Sequence, residues 1–222
     1  MNKRLISLGL IILAITIVAK LLFVMGKNIK LDEFHKSAVI FLIDTSVHNQ
    51  KTLSQQIQYV KSLCAILDPE DDIKILKVAN SSYLIYEGSP SDVKGINNSI
   101  NSYTKSDKSQ VQTSYAQAIK KSIEHSLNMK KDGYRPAIVI VGSLSENASA
   151  DNMINWETLP SNIKRAQKYI PELAMMFVYA PPEKLDMVKT KLNPVLGEKK
   201  LIIANSANVE KANMKFLKAI GR

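Results

Sequence analysis

Residues 38–48 read AVIFLIDTSVH, an unbroken apolar run from Ala38 to Ile43 that ends in Asp44-Thr45-Ser46-Val47-His48. A strand apolar on both faces is covered on both faces, as a central strand of a parallel sheet is by its helices. The following residues agree. Leu53, Ile57, Val60, Leu63, Cys64 and Leu67 fall on one helical stripe, and Asp68-Pro69 ends it. Ile73–Ala79 (IKILKVA) and Tyr83–Tyr86 (YLIY) then read as strands separated only by Asn80-Ser81-Ser82. So short a link cannot carry a parallel crossover, so the pair is an antiparallel hairpin with its second strand at a sheet edge.

Beyond the hairpin the alternation continues. Ser91–Tyr103 reads as a short helix, TKSDKSQVQ (104–112) as a polar loop, and Thr113–Met129 as a helix. Thr113 or Ser114 stands at that helix's N-cap, with Ala116, Ile119, Ile123 and Leu127 facing inward. Pro136–Val141 (PAIVIV) is a second buried strand, with Ile138 at its centre as Ile40 is in the first, and Gly142–Asp151 is an exposed loop. Ile163–Ile170 is helical, and Met175–Tyr179, Glu183–Leu192, Leu201–Ala204 and Val209–Ile220 make two more strand–helix pairs. Strands alternating with helices in this way give a doubly wound, mostly parallel, six-stranded α/β sheet of Rossmann-like kind, with one antiparallel edge strand.

Ahead of this domain (37–222) come an apolar segment (1–26) and a linker (27–36). Leu5–Met25 is a 21-residue run interrupted only by Lys20 and preceded by Lys3 and Arg4. At about 1.5 Å per residue it spans roughly 30 Å, the thickness of a hydrocarbon core. As a cleaved signal peptide it would have the n-region MNKR, but no A-x-A site follows the apolar stretch. A single-pass anchor is therefore expected, with Lys20 snorkelling to the interface and the domain on the non-cytoplasmic side. The chain carries a net charge of +10, split as +4 over residues 1–36, +1 over 37–182 and +5 over 183–222, so the domain's bulk is close to neutral. Lys211, Lys215, Lys218 and Arg222 give the last helix a basic face, read as solvated surface, and no nucleic-acid partner is expected.

Chemistry is narrowed by what the chain lacks. The lone Cys64 rules out an intrachain disulfide and a multi-cysteine zinc site, and His35, His48 and His125 lack metalloprotease spacing. No G-x-S-x-G elbow, P-loop or G-x-G-x-x-G accompanies a strand end, so an enzyme is not expected. In open α/β sheets ligands bind at the carboxyl ends of strands where strand order reverses. Here those ends carry Asp44-Thr45-Ser46-Val47-His48 and Gly142-Ser143-Leu144-Ser145.

On these residues the chain resembles the von Willebrand factor type A domain. The resemblance rests on Asp44-x-Ser46 at the first strand end, Thr113 with Ala118-Ile119 after it, and Leu67-Asp68-Pro69…Asp72-x-Lys74 before the hairpin. It covers about residues 37–220 and implies a metal-ion-dependent adhesion site of form DxSxS, a Thr before the third helix, and an Asp after the fourth strand. Asp44, Ser46 and Thr113 match; His48 replaces the second Ser, and Ser143 replaces the Asp. Only one carboxylate is left to offset a divalent ion, and a His nitrogen is a poor ligand for magnesium. The resemblance thus implies a degenerate site holding magnesium or manganese weakly, if at all. The expected function is a non-catalytic interaction or assembly module that binds a protein partner, in a membrane complex, through loops carrying Asp44, Ser46, His48, Thr113, Ser143 and Ser145. Its alternatives are a structural subunit using another face and a hydrolase with an unrecognised site.

Overall fold

A computed structural model describes residues 36–46, 49–78, 82–104 and 112–222. His48 and the apolar segment 5–25 lie outside them, and among the described residues no helix is long and apolar enough to cross a membrane. Lys36–Arg222 forms a compact unit of its own. Its strands are β1 (Ser37–Asp44), β2 (Asp72–Val78), β3 (Tyr83–Gly88), β4 (Arg135–Val141), β5 (Ala174–Val178) and β6 (Leu201–Ala204). Its helices are α1 (Gln50–Cys64), α2 (Val93–Thr104), α3 (Tyr115–Lys131), α4 (Leu159–Gln167), α5 (Pro182–Leu196) and α6 (Val209–Ala219).

The sheet runs β3-β2-β1-β4-β5-β6, parallel throughout except for the antiparallel edge strand β3. This is the expected architecture. Side chains of β1 alternate between two cores: Ala38, Ile40 and Leu42 face α3, α4 and α5, whereas Val39, Phe41 and Ile43 face α1, α2 and α6. Ile40 and Ile138 sit opposite each other in register, both wholly buried. Apolarity on both faces is thus the direct imprint of helices on both sides.

Helix bounds shift by up to four residues from the sequence expectation, and α3 and α4 also differ in what they bury or how they end. On α3 the buried side chains are Tyr115, Ala118, Ile119, Ser122, Ser126 and Met129, while Ala116, Ile123 and Leu127 are only partly buried. Serine can face the sheet because each hydroxyl is satisfied on its own helix: Ser122 Oγ donates to Ile119 O at 2.7 Å and Ser126 Oγ to Ser122 O at 2.8 Å. The N-cap is Ser114, whose hydroxyl accepts from Gln117 N at 3.3 Å, and not Thr113. Helix α4 begins four residues earlier than expected, with Pro160 in its first turn, and stops at Gln167; a turn then carries Ile170 into the core.

At the base of the sheet, Arg222 turns away from the basic face expected for the last helix. Its guanidinium pairs with Asp71, whose Oδ1 also accepts from Ser37 N at 2.7 Å, while Ser37 Oγ donates to Ile220 O at 3.1 Å. The domain's first strand and last helix are therefore stitched together there.

Candidate functional site at the strand ends

Strand order reverses between β1 and β4, so the crevice above their C-terminal ends is where a ligand is expected. Asp44 closes β1 and is fully buried. Its Oδ1 accepts from Ser46 N at 3.0 Å, and its Oδ2 accepts from Tyr115 Oη at 2.6 Å and from the Asn49 side-chain amide. Asn49 also donates to Ser46 Oγ at 3.2 Å. It occupies the N-cap position of α1, yet makes no side-chain cap there, because its amide is turned to Asp44 and Ser46. Asp44 N in turn donates to Gln56 Oε1 at 3.1 Å, which ties α1 to the strand end.

The exit from β4 is shaped to the same cluster. A Cβ on Gly142 would stand 2.3 Å from Tyr115 Oη and 2.7 Å from Asp44 Cβ, so only glycine fits beneath the phenol. Ser143 Oγ accepts from Ser145 N at 3.1 Å, a local turn at the loop surface. Leu144 adopts φ +56° and buries its side chain in the core. Next, Glu146 reaches across to α3: Oε1 accepts from Tyr115 N at 2.8 Å and Ala116 N at 3.3 Å, and Oε2 from Ile154 N at 2.7 Å. The Tyr115 and Ala116 N–H groups are orphan donors at the start of α3, which Glu146 satisfies from another segment. Asn147 Oδ1 accepts from Thr113 N at 2.7 Å, and Ser114 Oγ donates to Asn152 O at 2.6 Å.

Electrostatics follow from burial. Burial pushes the Tyr115 phenol well above its ordinary value, Asp44's charge adds to this, and the Leu144 backbone N–H opposes it. Burial likewise raises Glu146, against the three N–H groups that favour its charged form. The phenol is thus a permanent donor at neutral pH.

Of the residues expected at the site, Asp44 and Ser46 form one hydrogen-bonded cluster. Thr113 is buried two residues before Tyr115, its Oγ1 without a partner. Ser143 and Ser145 bond to each other, and His48 lies outside the described residues. Gly142 lies in the strand end expected to carry the site, whereas Tyr115, Asn49, Gln56, Glu146 and Asn147 were not expected there.

This donor set does not fit the divalent cation that the resemblance implies. Both oxygens of Asp44 already accept protein donors, and the orphaned Thr113 hydroxyl is neutral, whereas magnesium asks for an octahedral oxygen shell with carboxylate charge. Among the described residues no group of three or more His, Cys, Asp or Glu side chains could hold a metal ion.

No family model and no curated protein matches the sequence. Solved structures do. The VWA domain of SpRpn10 superposes with a TM-score of 0.56 at 11% identity, over 77% of this chain and 87% of that one. A von Willebrand factor type A protein from Catenulispora acidiphila gives 0.53 at 9% identity, over 84% and 43%. Proximal thread matrix protein 1 from the mussel byssus, with a zinc-occupied MIDAS motif, gives 0.51 at 14% identity, over 84% and 47%. This chain spans under half the length of the last two. At such identities the shared property is architecture, and by its strand order, antiparallel edge and these superpositions the chain has the von Willebrand factor type A fold.

Proposed function

We propose that the chain is a membrane-anchored, non-catalytic interaction or assembly module that binds a protein partner through the top face of its sheet. The observation that carries this reading is that the buried polar groups at the strand ends spend themselves on one another. Asp44 accepts from Ser46, Asn49 and Tyr115, and Glu146 from three backbone N–H groups. A general base or nucleophile needs a free lone pair facing substrate, and protein donors already occupy most of the lone pairs of these carboxylates. What the network does supply is a set of loops held in one conformation, which lowers the ordering cost of binding a partner. The apolar run Leu5–Met25 supports the anchor, and its short basic leader a domain on the non-cytoplasmic side. The solved neighbours of this fold include the VWA domain of SpRpn10 and an ArnB paralog, VWA2, which support an interaction or assembly module in general.

A photo-crosslinking residue introduced at exposed Ser145 or Asn147 in cells should give one discrete adduct with a second protein. The same residue at exposed Asp132, past the C-terminal end of α3, should give none. Adducts at Asp132 alone would refute the top-face reading.

A second reading has its own observation. A largely apolar groove of about 530 Å³ lies between α3 and α4, lined by Ala116, Ile123, Leu127, Met153 and Tyr169. Tyr169 is 69% exposed and Met153 36%. This favours a structural subunit whose helical face, not its top, meets a neighbour in a membrane complex. Adducts from exposed Tyr169 with none from Ser145 select that reading.

A further inference from the structure

The sequence carries most of a metal motif, and the structure puts other groups where the metal would act. A cation at such a strand end neutralises the Asp carboxylate and draws neighbouring segments onto one centre. Here both tasks fall to hydrogen-bond donors. We infer that the Tyr115 hydroxyl and the Asn49 amide stand in for the cation, locking the ends of β1 and β4 and the start of α3 together without metal.

Several independent features carry this. Tyr115 is the bulkiest of the fully buried side chains among the described residues, and it arrives from the first turn of α3 to place Oη 2.6 Å from Asp44 Oδ2. Gly142 supplies the room, since any Cβ there would collide with that same oxygen. The strand-end glycine and the helix-start tyrosine are complementary in shape. Asn49 gives up its capping position to reach the second lone pair of Oδ2 and to hold Ser46 Oγ. Hydrogen bonds to a buried carboxylate are among the stronger ones a protein makes. For an ion to reach Oδ2, it would have to displace both donors from that oxygen, leaving the phenol buried without a partner and the amide with Ser46 Oγ alone. A single carboxylate and the spare Thr113 hydroxyl offer too little in exchange.

The inference concerns the strand ends alone and holds whether or not the top face binds a partner. Thermal unfolding of the full chain in detergent, with and without millimolar magnesium or manganese, tests it first. The wild type should show no shift in Tm with either ion or with chelator, and no heat in a manganese titration. A Tm raised by several degrees, or micromolar manganese affinity, would overturn it. The second arm is a double-mutant cycle. Tyr115→Phe should lower Tm by several degrees when Asp44 is present, and by little in the Asp44→Ala background, where the hydroxyl has nothing left to serve. Equal losses in both backgrounds would show that Tyr115 merely packs, and the proposal would fail.

Discussion

At Asp44 a single buried carboxylate accepts from the backbone of Ser46, the amide of Asn49 and the phenol of Tyr115. Asp44→Ala removes one side chain but leaves several buried donors without their acceptor. The expected loss is about 2–5 kcal/mol in urea unfolding, with a weaker Ser145 crosslink because the loops lose their common tie. A loss below 1 kcal/mol would mean that the donors find other partners. Truncation in the core gives a different signature. Ile40→Ala or Ile138→Ala should cost about 2–5 kcal/mol in the same measurement without changing the crosslink pattern. Since these two side chains neighbour each other across β1 and β4, the double variant should depart from additivity. At this scale the sequence is legible where a residue's role is local. Asp44 and Ser46 announce a polar strand end; Tyr115 looks like any aromatic in a helix, because the oxygen it serves lies 71 positions away in the chain.

Among the elements, α3 shows why helix phase is harder to read than helix existence. Its apolar residues Ala116, Ile119, Ile123 and Leu127 form an inward stripe by sequence, yet of these four only Ile119 is fully buried, and Ala118, Ser122 and Ser126 are buried beside it. Buried serines that bond their own helix carry no apolar signal, and the apolar stripe they displace lines an open groove. The start of α3 is equally non-local, since its free N–H groups are met by Glu146 from the loop after β4. Glu146 also gives a pH prediction. Its folded value is raised, so the folded state holds its proton more tightly than the unfolded chain does. Its contribution is therefore fully present below the ordinary carboxylate value and is lost as pH rises through the raised folded value. Tm measured from pH 3 to 8 for the wild type, less that for Glu146→Gln, should fall across that window and be flat above it. A difference that grows with pH would contradict the assignment.

For the molecule as a whole, the succession of strands and the antiparallel edge were readable because each buried strand is a short apolar run bounded by polar residues, and because the short link between β2 and β3 permits only an antiparallel partner. The predicted anchor at residues 5–25 belongs to this scale too. The full chain should stay in the membrane pellet through carbonate washing, with its domain open to protease from the non-cytoplasmic side. A shortened protein in the supernatant would show that the segment is cleaved. The stitching at the base of the sheet has a mechanical corollary. Lys36 is followed directly by β1, the strand whose far end is Asp44, and β1 is paired in parallel with β2 on one side and β4 on the other. If a tether pulls below while a bound partner holds the top, tension runs lengthwise through one eight-residue strand, roughly 26 Å long. Both hydrogen-bond ladders then lie across the pull and are loaded in shear, so their bonds must yield together instead of unzipping one by one. The stitch of Arg222 to Asp71 and of Ser37 to Ile220 grips that strand where the load enters.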